Sequence, residues 1–260
     1  MAPAEAAPAA PRPVAFVTGG SGGVGKATVI ELARRGYDVA FTYHSNGAAA
    51  DELTAAALPA AKLAAFRVDV AQWCEVEAAA AAVVERFGRL DLVVHAAGAR
   101  VKWAPIRDIE VADWTSYIAA DLNGAFHVVR AFLPPMRRLG GGSFILLSSI
   151  AARMCQPRNV QGAVAKAGVE AMVRVLAREE ARHGIRANAV AVGLTDTPMA
   201  EDALARWGQE RAAQIVEAIP LRRMGRPEEI ARMIHFLASE DGAYITGQII
   251  QIDGGQFIAG

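Results

Sequence analysis

The chain has 260 residues, with 27 acidic and 27 basic side chains and a formal net charge of zero. That balance leaves no basic footprint for nucleic acid, and no apolar run reaches the length of a membrane span. Its two isolated cysteines, Cys74 and Cys155, give neither a metal-ligand spacing nor a disulfide framework, so no metal site and a reducing cytoplasm are expected.

The Ala/Pro-rich start, 1–13, lacks an apolar core and reads as a disordered leader rather than a signal peptide. Residues 14–260 then fit one domain with a large core. The apolar run 14–18 (VAFVT) has the composition of a strand buried on both faces. It breaks into Gly19-Gly20-Ser21-Gly22-Gly23-Val24-Gly25, followed by a helical pattern over 26–35. Glycines there allow a tight turn and let the backbone approach a pyrophosphate at the helix N-terminus. The flanking strand and helix are what turn a weak glycine signal into a nucleotide site. Further strands are predicted at 39–43, 63–68, 90–95, 144–148, 187–191 and 248–252, alternating with helical patterns. This predicts an α/β fold: a single-domain, Rossmann-like, doubly wound parallel sheet of about seven strands with helices on both faces. After the strand ending in Ser148-Ser149, the run from Ala165 to Met172 opens a long helix reaching about Arg182 and stopped by Gly184.

The spacing Thr18-Gly19-x-x-x-Gly23-x-Gly25 resembles the short-chain dehydrogenase/reductase family, whose glycine motif is TGxxxGxG. The resemblance covers nearly the whole chain after about residue 13. It implies that Gly19, Ser21, Gly23, Val24 and Gly25 hold the dinucleotide. The second strand ends in Tyr43-His44-Ser45-Asn46, and NAD-preferring members usually carry an aspartate at Tyr43's position. A carboxylate there would repel a 2′-phosphate, so its absence favours NADP(H) over NAD(H). One departure points the other way: Gly22 stands where NADP-preferring members often have arginine. Asp69, followed by Val70, matches the family aspartate that bonds the adenine. The run 90–98 (LDLVVHAAG) matches the strand ending in NNAG; His95 and Ala96 replace the asparagines, and Ala97 and Gly98 complete the cofactor turn. His95 reads as a packed or structurally bonded histidine. The segment 187–198 matches NxxxPGxxxTP, which implies Gly193, Thr195 and Thr197 at the pyrophosphate and nicotinamide amide, with Val192 in place of the proline.

In the family, YxxxK puts tyrosine and lysine on one helix face, where lysine bonds the nicotinamide ribose and lowers the tyrosine pKa. Lys166 is in place, but the tyrosine position is Gly162. Some enoyl reductases hold the tyrosine seven residues before the lysine, and that position is Asn159; no tyrosine occurs between Tyr117 and Tyr244. Ser149, thirteen residues before 162, matches the catalytic serine, with Ser148 as a structural neighbour. The family's catalytic asparagine, in NLxGxF, maps to Asp121. Asp121 is either a solvated helix carboxylate or one coupled to Lys166 by burial and charge. Aspartate for asparagine, lysine retained and no tyrosine looks like the peroxisomal 2,4-dienoyl-CoA reductases. That resemblance implies an aspartate and a lysine organising a water that protonates carbon after hydride addition. Overall, the chain is as similar to carbonyl reductases of the 3-oxoacyl type.

Ketone reduction creates an alkoxide and needs an acid, worth roughly 10²–10⁴ in rate. Reduction of an enoyl thioester creates an enolate, which needs oxyanion stabilisation and a proton delivered to carbon. Residues 199–218 are expected to form a flap over the substrate. Met199, Trp207, Trp103, Met154 and Cys155 read as pocket lining or as ordinary packing. Arg100, Lys102, Arg153 and Arg158 read as ligands for the phosphates of an acyl carrier or coenzyme A, or as solvated charge. The segment 223–255 matches the family's last helix and strand, which carry dimer and tetramer contacts, so a homotetramer or homodimer is expected. Three readings stand: an NADPH-dependent reductase of an activated C=C in a small-molecule or acyl-thioester substrate; a carbonyl reductase using Ser149 or water as acid; and a catalytically silent NADP-binding subunit.

Overall fold

The computed structural model describes residues 11–56, 61–206 and 208–258. Seven parallel strands form one sheet: β1 (Val14–Thr18), β2 (Asp38–Tyr43), β3 (Leu63–Arg67), β4 (Leu92–His95), β5 (Gly142–Ser149), β6 (Ile185–Val192) and β7 (Ile249–Ile252). Their order is β3-β2-β1-β4-β5-β6-β7, so the winding reverses between β1 and β4. That switch point opens a crevice at the carboxyl ends of the strands, where such sheets bind ligands.

The alternation of side chains along β1 explains why every residue of VAFVT is apolar or buried. Val14 and Phe16 enter one core, with α3 (Trp73–Phe87), α5 (Gly124–Arg138) and α7 (Val160–Glu180) packed over it. Ala15 and Val17 enter the other, under α1 (Gly23–Arg34), α2 (Gly47–Ala55) and α10 (Pro227–Ala238). Phe16 stacks on Phe132 of α5 with ring centroids 4.2 Å apart.

The predicted leader lies outside the described residues except for its last three. There Arg12 pairs with Asp38 at 3.2 Å and donates to the carbonyls of Ala33 and Tyr37, tying the chain to the start of β2 before β1 begins. Most predicted boundaries shift by one to five residues, and two of the shifts have a visible cause. β4 starts at Leu92, not at 90, because the Asp91 carboxylate is occupied in accepting from the Val14 N–H and from Arg89. The long helix α7 starts at Val160 rather than Ala165, with Asn159 at its N-cap position.

The helix preceding β5 is interrupted where it passes the crevice. Between α4 (Val111–Ile118) and α5, residues Ala119–Asn123 form a π turn, and Asp121 lies within it. π turns inside α-helices are frequent at functional sites.

Candidate active site

The crevice is built by loops that converge from β1, β4 and β6. A Cβ at Gly25 would lie 2.1 Å from the Gly19 carbonyl oxygen, so only glycine lets α1 start this close to β1. Gly19 itself, at φ +66°, lies against Ala97. A Cβ at Gly23 would stand 3.1 Å from Thr197, which brings the β6 loop to the same place. α1 begins at Gly23 with no side-chain cap on its free N–H groups. Backbone donors at a helix start, with no side chain over them, fit a dinucleotide pyrophosphate.

Of the residues expected at the cofactor, Gly19, Ser21, Gly23, Val24, Gly25, Ala97, Gly98 and Thr197 belong to these converging loops. Tyr43 ends β2, and His44 and Ser45 follow it, both exposed. Asn46 is otherwise engaged: its side chain accepts from the Ala49 N–H and caps α2, a helix start signalled by its residue type. Asp69 accepts from the Ala71 N–H through one carboxylate oxygen. Val70 is buried against Gly124 and its carbonyl is bonded to His127, which leaves its N–H. Gly193 packs on Asp253, and the Thr195 hydroxyl donates to the Gly193 carbonyl. Thr197 caps α8 (Pro198–Ala205).

The catalytic candidates meet on the other side of the crevice. The Lys166 ammonium lies 2.5 Å from Asp121 Oδ1, and its second partner is the Leu147 carbonyl at 3.3 Å. Asp121 is 1 % exposed and Lys166 13 %. Asp121 is therefore the coupled carboxylate, not the solvated one. Gly168 marks the close approach of α7 to the π turn: a Cβ there would lie 2.8 Å from the end of the Leu122 side chain, which would have to shift to accommodate it. The other oxygen, Oδ2, accepts from the Ala99 N–H at 2.6 Å. The approach of Lys166 is a charge contact out of line with hydrogen-bond geometry, because Oδ1 is buried and accepts no hydrogen bond among the described residues.

Two serines separate cleanly. Ser148 donates to the buried Glu170 carboxylate at 3.0 Å, and Arg153 and Arg174 flank that carboxylate. Ser149 accepts from the Ala151 N–H at 3.2 Å and keeps its own proton for another acceptor. At position 162 a side chain would begin 2.4 Å from Asn159 Oδ1, so the Asn159 amide occupies the start of the path a tyrosine would take.

One side chain of this site, Tyr117, was missed in the sequence, and a second, His95, is packed and structurally bonded as expected. Tyr117 is buried beside Asp121, and burial first, then the Asp121 charge, push its phenol pKa up. A phenol is thus present, but its environment opposes the role of acid; the four-residue spacing to Asp121 on a helix is the signal that could have found it. His95 is fully buried at the end of β4. Thr18 Oγ1 accepts from the N–H groups of both Ala96 and Ala97, each at 3.1 Å, and lies 3.0 Å from His95 Nδ1. With both lone pairs used, Thr18 donates its proton to Nδ1, so the neutral ring carries its hydrogen on Nε2. The ring is neutral: burial, reinforced by the Lys166 charge and opposed by Asp121, pushes its pKa down to about 3.

On the substrate side, three of the four candidate cations are already paired: Arg100 with Asp202, Lys102 with Asp113, and Arg153 with Glu170 at 3.6 Å. Met199 and Cys155 are exposed, Met154 and Trp103 half-buried, and Trp207 lies outside the described residues. Among the described residues no helix is long and apolar enough to cross a membrane, and no group of three or more His, Cys, Asp or Glu could hold a metal.

The family model described as Enoyl-(Acyl carrier protein) reductase matches residues 19–256. The chain belongs to the short-chain dehydrogenase/reductase family. It is an NAD(P)H-dependent short-chain reductase. It is 36 % identical over 244 residues to a 3-oxoacyl-[acyl-carrier-protein] reductase of Synechocystis sp., covering 93 % of this chain and 96 % of the relative. It is 36 % identical over 247 residues to the 3-oxoacyl-[acyl-carrier-protein] reductase FabG of Thermotoga maritima, covering 94 % and 98 %. The crystal structure of levodione reductase superposes with a TM-score of 0.89 at 31 % identity, covering 94 % of this chain and 97 % of that one.

Proposed function

We propose that this reductase uses NADPH to reduce an activated C=C bond in an enoyl- or dienoyl-thioester-like substrate, with a water organised by Asp121 and Lys166 as proton source. The observation that carries the proposal is the buried Lys166–Asp121 contact of 2.5 Å beside a glycine at the phenol position. When bound, the nicotinamide supplies a hydride to the β-carbon. The charge that appears on the thioester oxygen is stabilised by a hydrogen bond from Ser149, whose proton is uncommitted. The α-carbon takes a proton from the water: its O–H bond breaks as the C–H bond forms, and Lys166 returns a proton to the hydroxide and is replenished from solvent. Asp121 keeps Lys166 in place through this cycle.

A second reading is supported by the relatives' names: reduction of a 3-oxoacyl thioester, with Ser149 or water delivering the proton to oxygen. The experiment is NADPH oxidation against paired enoyl-, dienoyl- and 3-oxoacyl-thioesters. Turnover confined to the C=C substrates is expected. Turnover confined to the 3-oxoacyl ester would transfer the assignment to the second reading, and tight NADPH binding with no turnover would indicate a silent subunit. NADPH is expected to bind more tightly than NADH because no carboxylate ends β2; equal affinities by calorimetry would remove that preference. A cytoplasmic homotetramer or homodimer completes the proposal.

A further inference from the structure

We infer that His95 is a positioning residue that fixes the protonating water: its Nε2–H, locked in place by Thr18, donates to a water that in turn donates to Asp121 Oδ1 next to Lys166. The inference rests on the proposed use of that water and extends it to a third side chain.

Among the buried polar atoms without a hydrogen-bond partner in the described residues, His95 Nε2 and Asp121 Oδ1 belong to side chains that both face Lys166. They are complementary. Nε2 carries a proton, because the Thr18 hydroxyl has both lone pairs filled and gives its own proton to Nδ1. Oδ1 is a carboxylate oxygen with a cation beside it and an unused lone pair. A buried donor left without an acceptor is costly, and Oδ1 keeps a lone pair beyond its contact with Lys166. One water satisfies both, and bridging water is the usual partner of otherwise unsatisfied buried polar groups. The two ends share one neighbourhood: the segment from His95 runs over Asp121, with Gly98 lying 3.4 Å from Oδ1 at its Cβ position and Ala99 bonded to Oδ2. The charged groups facing the imidazole are Lys166 and Asp121. A neutral histidine with a fixed tautomer is suited to this role, since it orients the water oxygen without changing the charge of the ion pair.

Two substitutions separate positioning from packing. Asparagine at 95 places its polar group where Nδ1 was and preserves the Thr18 contact. Glutamine reaches the Nε2 position and preserves the N–H that faces the water. His95→Gln should therefore keep kcat on the C=C substrate within about threefold, while His95→Asn should lose about tenfold, the scale of one net hydrogen bond. NADPH affinity should be unchanged in both. A purely structural histidine reverses that order, and His95→Asn turning over as well as His95→Gln would overturn the inference. Nitrogen-15 NMR of the imidazole in the unaltered protein decides independently of folding of the variants and of activity. The proton should sit on Nε2 and show a cross-peak at the water frequency. A proton on Nδ1, or an Nε2–H with no water contact, would overturn the inference even if C=C reduction is confirmed. Failure of the C=C assay with the NMR signature intact would instead count against the proposed reaction alone.

Discussion

The two walls of the crevice are held by different physics. On the β1 side the constraint is backbone distance: at Gly25 even a methyl group would collide with a carbonyl oxygen 2.1 Å away. On the α7 side the constraint is charge: Asp121 and Lys166 sit in contact at 2.5 Å where the family places an asparagine and a tyrosine–lysine pair. A steric wall tolerates one residue type and gives one geometry. An electrostatic wall can exchange its members and still bind the same cofactor while its proton chemistry changes. The cofactor wall therefore keeps the family motif while the chemical wall departs from it at Asp121 and Gly162.

The largest effect should come from breaking the steric wall. Gly25→Ala should abolish measurable NADPH binding by calorimetry and cost about 1–3 kcal/mol of stability, the range for overpacking. Retained binding would show that the loop yields and that the wall is not steric.

Breaking the charge wall should spare binding and destroy turnover. Asp121→Asn is expected to bind NADPH but to reduce the C=C substrate roughly 10²-fold or more slowly, the scale of a lost acid–base group. Removing one partner of a buried pair also costs about 3–5 kcal/mol, so a lowered Tm should accompany the loss. Unchanged turnover would leave Ser149 or bulk water as the proton source.

Restoring a phenol sharpens the contrast. Gly162→Tyr alone has to displace the Asn159 amide, whose Oδ1 lies 2.4 Å from the new Cβ. The double variant Gly162→Tyr/Asn159→Gly should fold better than the single one and should gain ketone reduction, by about tenfold or more over background. No gain in a variant that folds and binds NADPH would mean that the pocket has diverged in shape as well as in charge.

The smallest effect is one of pH. His95 titrates near 6.5 when unfolded but is pushed down to about 3 in the folded chain. Between those values the unfolded state binds the extra proton, so stability is undiminished above about 6.5 and falls as pH drops towards 3. Melting curves across that window should show a shallower decline in His95→Asn, which cannot titrate. Parallel slopes would place the acid sensitivity elsewhere, for instance at Glu229, held down to about 2 chiefly by Arg223.

What could be read from the sequence followed the same division. The strands and the glycine turn were legible because local pattern and backbone sterics specify them within a few residues. The Asp121–Lys166 pair was legible only through its resemblance to a known reductase site, since the partners are 45 positions apart. Thr18 and His95, separated by 77 positions, carry no local signal at all, and the tautomer they define exists only once β1 and β4 lie side by side. The candidate carrier-binding cations show the limit from the other direction. Charge near the cleft was visible, but its neutralisation by Asp202, Asp113 and Glu170 was not.

The π turn at Ala119–Asn123 gives this site an unusual vulnerability. A π turn holds one residue more than regular α-helix would need, so deleting a single residue there would let α4 run straight into α5. The flanking turns of α4 and α5 would keep their facing, because the π turn absorbs the extra residue, while side chains within it would move by about 100°. Asp121 would swing away from Lys166 while the helix, its hydrogen bonds and the core of α5 persisted. Length, and not only composition, is therefore heritable information about the chemistry: one missing codon could silence the site and leave a well-folded nucleotide-binding protein behind.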